Sequence, residues 1–113
     1  MQKVEAIIRP ELSEKVRDAL AEAGFVGLNV VAVIGRGQQR GISHVGRSGE
    51  RHTVDMLSKA KMELVVHDAD VDKVVDIIIS NARTGKVGDG KIFVLPVANA
   101  YRVRTGEQGD AAL

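Results

Sequence analysis

The same order of elements occurs twice in this chain, an apolar strand, an amphipathic helix and a second apolar strand, with a long stretch lacking periodicity between the two halves. Val4 to Ile8 reads as a short buried strand closed by Pro10. Leu12, Val16, Ala19, Leu20 and Ala23 then recur at helical spacing, and Gly24 stands where a helix stop belongs. Leu28 to Ile34 returns to valine-rich strand character. Lys59 to His67 opens the second half as a strand, with Met62, Leu64 and Val66 on one face and Lys61 and Glu63 on the other. Asp68 or Asp70 is placed to cap a helix with the apolar face Val71, Val74, Val75, Ile78 and Ala82. Ile92 to Leu95 is a fourth strand ended by Pro96, and a last alternating segment puts Tyr101 and Val103 on one face and Arg102 and Arg104 on the other.

Two such halves in 113 residues make one domain, 1–113, of the α+β class. The order is the split βαβ, or ferredoxin-like βαββαβ, arrangement: a four-stranded antiparallel sheet with two helices on one face and a long loop between strands 2 and 3. The uncovered face and the sheet edges then need cover, which points to self-association. That loop, Gly35 to about Ser58, holds Gly35, Gly37, Gly41, Gly46 and Gly49 among Arg36, Arg40, Arg47 and Arg51. A segment so long without apolar period is functional or misassigned.

Composition removes several function classes. The chain has no cysteine, which excludes disulfides, thiolate metal sites and cysteine nucleophiles. Its 16 basic and 15 acidic residues leave a net charge of +1, with no general field for nucleic acid or anionic membranes. Phe25, Phe93 and Tyr101 are too few for a base-stacking platform. No apolar run approaches the roughly 20 residues that span a bilayer. The start MQKVEAII lacks the basic flank and apolar run of a signal peptide, so a cytoplasmic location is expected.

Anion-binding chemistry is concentrated in two places. Gly85 to Lys91 fits the first seven positions of the phosphate-loop pattern, yet Ile92 replaces the magnesium-binding Ser or Thr, and the flanks run helix–loop–strand instead of strand–loop–helix. Glycines still let backbone N–H groups approach an anion, and Lys86 and Lys91 add charge. The alternative is a plain helix-to-strand turn with Gly85 as the stop. Arg102 and Arg104 offer planar donor forks suited to phosphate, against the alternative of a solvated strand face. His44 and His52 would need outside ligands to hold zinc. Ser43, Ser48 and Ser58 have no adjacent base in sequence.

Several longer stretches match a known family. The opening AIIRP, the helix end ALAEAGFVG, the run Gly35-Arg36-Gly37-Gln38-Gln39-Arg40-Gly41, the block ARTGKVGDGKIF and the closing RVRTGEQGDAAL make the chain resemble the PII nitrogen-regulatory signal proteins from Val4 to Leu113. The resemblance implies a homotrimer with ATP or ADP in each cleft between subunits. Residues about 37–58 resemble the family's T-loop, which docks onto targets; about 83–91 its B-loop, which cradles phosphates; and about 101–113 its C-loop, which reaches the cleft from the neighbouring subunit.

By position, the resemblance implies nucleotide contacts from Gly35, Gly37, Gln38, Gly88, Asp89, Gly90, Lys91, Arg102 and Arg104. It places Asn29, Glu63 and Leu64 near adenine and ribose, with Asn29 where a threonine is expected. Gln39 and Lys59 match the 2-oxoglutarate residues, with Gln39 also a ligand of the magnesium on ATP, which makes 2-oxoglutarate binding depend on ATP. The implied role is signalling of nitrogen, carbon and energy status to a target such as an ammonium transporter, glutamine synthetase or nitrogenase, without catalysis. The loop departs from the enteric pattern: Gly49-Glu50-Arg51-His52-Thr53 stands where a uridylylated tyrosine occurs, which argues against that modification and resembles the branch encoded beside nitrogenase or ammonium-transporter genes. Ser48 lies near a position phosphorylated in some members. Rival readings are a slow ATPase, which lacks an evident base; an RNA-binding module, which lacks aromatic strand positions; and a PII-like sensor of a different small anion.

Overall fold

The computed structural model describes residues 1–36, 43–45, 51–53 and 56–113. Strand β1 (Gln2–Ile8), helix α1 (Ser13–Glu22), strand β2 (Asn29–Gly35), two short strands β3 (Ser43–Val45) and β4 (Arg51–Thr53), strand β5 (Leu57–Val66), helix α2 (Val71–Ala82) and strand β6 (Lys91–Pro96) follow in chain order. Short 3-10 turns at Pro10–Leu12 and Asp68–Asp70 lead into the two helices, and a third at Gly109–Ala112 lies near the C-terminal end. The main sheet has the order β2-β5-β1-β6, and every pairing in it is antiparallel. This is the expected ferredoxin-like βαββαβ fold.

Alternation along the two central strands explains the layering. Val4, Ala6 and Ile8 of β1 and Ala60, Met62, Leu64 and Val66 of β5 are buried, with Val16 and Leu20 of α1 and Val74, Ile78 and Ala82 of α2 in the same cluster. Both helices therefore cover one face of the sheet. Residues at the odd positions, Lys3, Glu5, Lys61 and Glu63, carry charge on the other face. Pairing aligns Val4 with Leu64 and Ala6 with Met62, and a slip of one residue would move every apolar side chain to the wrong face.

Helix α1 ends as the sequence indicates. Gly24 adopts φ 94°, Gly24 N donates to Ala21 O at 3.0 Å and Phe25 N to Leu20 O at 2.9 Å, the paired contacts of a glycine C-terminal cap. Three expectations need correction. Neither Asp68 nor Asp70 caps α2 with its side chain; the Asp68 carboxylate meets the Met1 amino group at 2.9 Å instead. The region between β2 and β5 contains the ladder β3–β4, whose strands of three mostly polar residues are too short to show a period. Tyr101 to Arg104 is not a strand: Tyr101 bridges Gln108, Arg102 N donates to Glu107 O at 2.8 Å, and Gly106 N donates to Arg102 O at 2.7 Å, closing a turn.

Ile78 is fully buried between helix and sheet. Ile78→Ala is expected to lower unfolding stability by about 2–5 kcal/mol, measured by urea denaturation.

Candidate functional site

The segment between α2 and β6 is shaped by contacts with the far end of β1. Gly85, Gly88 and Gly90 have φ values of 87°, 106° and 97°, so the chain takes turns there that other residues resist. Gly90 also passes directly over β1, where an added Cβ would lie 1.7 Å from the Ile7 carbonyl oxygen. Helix α2 stops at Ala82 with Arg83 already extended, so Gly85 belongs to the loop and is not the cap.

Polar contacts fix the same segment. Asp89 Oδ2 accepts from the backbone N–H groups of Thr84 and Gly85, each at 2.9 Å. Asp89 Oδ1 accepts from Thr84 Oγ1 and from Arg9 Nε at 3.1 Å. Arg9 Nη2 donates to Val87 O at 2.9 Å, and Lys59 Nζ donates to Gly88 O at 2.8 Å. The Thr84 hydroxyl is the first cause holding the Asp89 carboxyl well below the usual carboxylate range, with the two backbone donors and Arg9 adding to it against a desolvation penalty. Partial burial lowers the Lys59 ammonium pKa, and the Arg9 charge acts in the same direction.

The residues singled out from sequence fall into three groups. Lys59, Gly88, Asp89, Gly90 and Lys91 come together at the ends of β1, β5 and β6, with Lys91 the register partner of Ile7. Asn29 and Glu63 are register partners on β2 and β5, and Glu63 Oε2 sits 3.1 Å from Lys3 Nζ, with Lys61 Nζ 3.5 Å from its other oxygen. The Lys3 hydrogen bond is the main cause lowering the Glu63 pKa. Leu64 points the opposite way into the core with 4% exposure and pairs with Val4 of β1, so its side chain is not available at the surface. The third group is the C-terminal turn, where Arg102 Nη1 bonds Glu107 Oε1 at 2.8 Å and Arg104 is exposed. Gly35 closes β2 opposite Leu57. Gly37, Gln38 and Gln39 lie outside the described residues, as does Ser48.

Sequence reasoning missed Arg9 as a partner of the loop. Its one signal was its place in AIIRP, a cation immediately after a buried strand and before a proline. Register also sets His44 opposite His52 across β3–β4, but no group of three or more His, Cys, Asp or Glu suited to a metal occurs among the described residues. A groove of about 420 Å3 runs between α2 and β6, with Ile8, Val75, Ile79, Ile92 and Val94 among its walls. Those walls suit hydrocarbon; the loop donors and lysines suit an anion. Among the described residues no helix is long and apolar enough to cross a membrane.

The family model described as nitrogen regulatory protein P-II matches residues 1–107. The chain belongs to the P-II nitrogen regulatory protein family. It is 51% identical to nitrogen regulatory protein P-II 1 of Escherichia coli strain K12 over 113 residues, covering 100% of both chains. Nitrogen regulatory protein P-II of Klebsiella oxytoca is similar to the same degree, 51% over 113 residues with 100% of both chains covered. A crystal structure of Arabidopsis thaliana PII bound to citrate superposes with a TM-score of 0.81 at 43% identity, covering 99% of this chain and 91% of that one. P-II relatives at full length carry the name of regulators, and the fold match extends across both halves of the chain.

Two outcomes test the loop geometry of this P-II protein. Gly90→Ala meets both a left-handed backbone and the Ile7 carbonyl, whereas Gly85→Ala meets open space. Urea denaturation should show a loss of about 2–4 kcal/mol for the first and roughly 1 kcal/mol for the second. Asp89→Asn should also destabilise at neutral pH. A depressed folded pKa contributes stability above the unfolded value of 3.8, and that contribution is lost as pH falls toward the folded value. The gap between wild type and Asp89→Asn should therefore be full above about pH 5 and shrink in stronger acid.

Proposed function

We propose that this protein is a homotrimeric signal protein that binds ATP or ADP, binds 2-oxoglutarate together with Mg-ATP, and regulates a target through residues 37–58. The observation that carries this reading is the glycine loop 84–90, braced on β1 with Lys59 and Lys91 beside it, in a chain of the P-II family. The donor set fits a polyphosphate. Gly88 and Gly90 permit close approach of backbone N–H groups, two ammonium groups flank the loop, and the one carboxylate in it, Asp89, has its charge met by four donors. Bound ATP would supply a charged anchor and a magnesium ion; Gln39 would be the protein's ligand to that ion, and Lys59 would pair with a 2-oxoglutarate carboxylate.

Asn29 and Glu63 would serve the adenine and ribose end, with Leu64 contributing its main chain. Lys59 and Glu63 lie on one face of β5 four residues apart, about 13 Å along the strand. A cleft between copies of the chain accounts for how both could serve one class of ligand, with Arg102 and Arg104 reaching it from the neighbouring copy. Exposed apolar residues on both edge strands, Val31 and Ile34 of β2 and Phe93 and Val94 of β6, support such an assembly. The function is regulatory: a ligand-dependent shift in residues 37–58 would engage or release a target such as an ammonium transporter, glutamine synthetase or nitrogenase. The citrate-bound plant relative favours one second reading, in which a different carboxylate takes the place of 2-oxoglutarate.

Calorimetry with ATP and magnesium, followed by 2-oxoglutarate with and without ATP, tests both. The expected result is ATP binding by itself and 2-oxoglutarate binding only with Mg-ATP present. Lys91→Ala and Arg102→Ala should each weaken ADP binding roughly tenfold. Gln39→Ala should keep ATP binding and abolish the 2-oxoglutarate response. Normal coupling in Gln39→Ala would remove Gln39 as the magnesium ligand, and ATP binding without any 2-oxoglutarate response would favour the second reading.

A further inference from the structure

Asp89 and Arg9 stand apart from the other charged groups around the 84–90 loop, because they bond each other and the loop's own backbone. The Asp89 carboxylate receives four donors, two backbone N–H groups, the Thr84 hydroxyl and Arg9 Nε, which fills its acceptor sites. Arg9 joins Asp89 through Nε and the Val87 carbonyl through Nη2, so one rigid guanidinium spans side chain and main chain of the same loop. Its own backbone directly follows the last residue of β1, a strand paired on both sides.

The direction of these contacts has a consequence for the amides. No peptide bond among the described residues is cis, and in a trans planar peptide the C=O and the N–H point in opposite directions. Arg9 draws the Val87 carbonyl toward itself, and this turns the N–H of Gly88 away. Lys59 does the same to the Gly88 carbonyl, and this turns the N–H of Asp89 away. Asp89 removes the Thr84 and Gly85 N–H groups from use by binding them itself. The donors at the start of the loop are thus consumed, and those at Gly88 and Asp89 point away from Arg9 and Lys59 respectively.

We propose that Arg9 and Asp89 are a positioning pair that presets the phosphate-binding loop, acting through its backbone without touching the ligand. This rests on the nucleotide reading above for its functional meaning, and revises the role implied for Asp89 from ligand contact to internal clasp. Pre-setting matters because a loop already holding its donors in place loses less conformational entropy when an anion binds.

Arg9→Gln, Arg9→Lys, Asp89→Asn and the double variant Arg9→Gln/Asp89→Asn are compared with wild type in the full chain. Two readouts are used: ADP affinity by calorimetry, and hydrogen–deuterium exchange of the ligand-free protein. Arg9→Gln and Asp89→Asn should each weaken ADP roughly tenfold. The double variant should be no worse than either single one, because both remove the same clasp. Arg9→Lys, which keeps the charge without the fork, should fall between. Exchange should rise more in 84–90 than in β1, β5 and α2, a local signature beyond the uniform rise that a general loss of stability produces. Wild-type exchange across 84–90 in Arg9→Gln would overturn the proposal, as would wild-type ADP affinity in both single variants. If wild type itself binds neither ADP nor ATP, the nucleotide reading fails, and exchange at 84–90 still decides whether the clasp exists.

Discussion

The two-sided pairing of β1 governs the rest of the molecule. This strand lies between β5 and β6, and its register with each fixes which of its side chains meet the helices. Val4, Ala6 and Ile8 are almost completely buried, so a shift by one residue would expose the core and bury Lys3 and Glu5. The position of the strand's far end is consequently set by burial of its middle. Ile7 and Arg9 are delivered there with little freedom, and it is against those two residues that the 84–90 segment is built.

Two kinds of force act at that junction, and they differ in character. Gly90 is a steric requirement: with the Ile7 carbonyl occupying the space a Cβ would need, only glycine fits. Arg9, Lys59 and Asp89 supply directional bonds that orient a backbone already brought close by that contact. Sterics bring the loop to β1, and electrostatics turn its peptide planes. A loop held by solvent-exposed hydrogen bonds alone would lie at the low-stability end of the protein, whereas this one is anchored to its most constrained strand.

Much of this was legible in the sequence because burial leaves a periodic trace. The alternation Met62, Leu64, Val66 and the helical spacing Val74, Ile78, Ala82 reported the two layers directly. Gly24 likewise marked the end of α1, since its positive φ is a local demand. Strands β3 and β4 left no trace: three residues each, with Ser43, His44, Arg51, His52 and Thr53 among them, give no apolar alternation to read. Tyr101 to Arg104 misled for a related reason. Two alternations match a strand, yet Gly106 with φ 75° lets Glu107 return to Arg102, and local backbone bonding prevails. The Arg9–Asp89 contact spans 80 positions and has no periodic signature at all; only the sheet order brings its partners together.

The candidate site of a single chain is open, and the sheet order explains why. Asn29 is on one edge strand and Lys91 on the other, three strand spacings or roughly 14 Å apart across the sheet. Arg102 is engaged by Glu107 in a turn of its own. Antiparallel edges with exposed Val31, Ile34, Phe93 and Val94 are also surfaces that a lone domain would be expected to cover or charge. Both observations fit the assembly proposed above, in which unlike edges of neighbouring copies meet. Such a contact would bury the apolar edge residues and bring Asn29 and Glu63 of one copy toward the glycine loop of the next. In that proposed arrangement ligand binding and subunit contact would share the same residues, so a ligand that completes the cleft would also strengthen the assembly and link signal to oligomer.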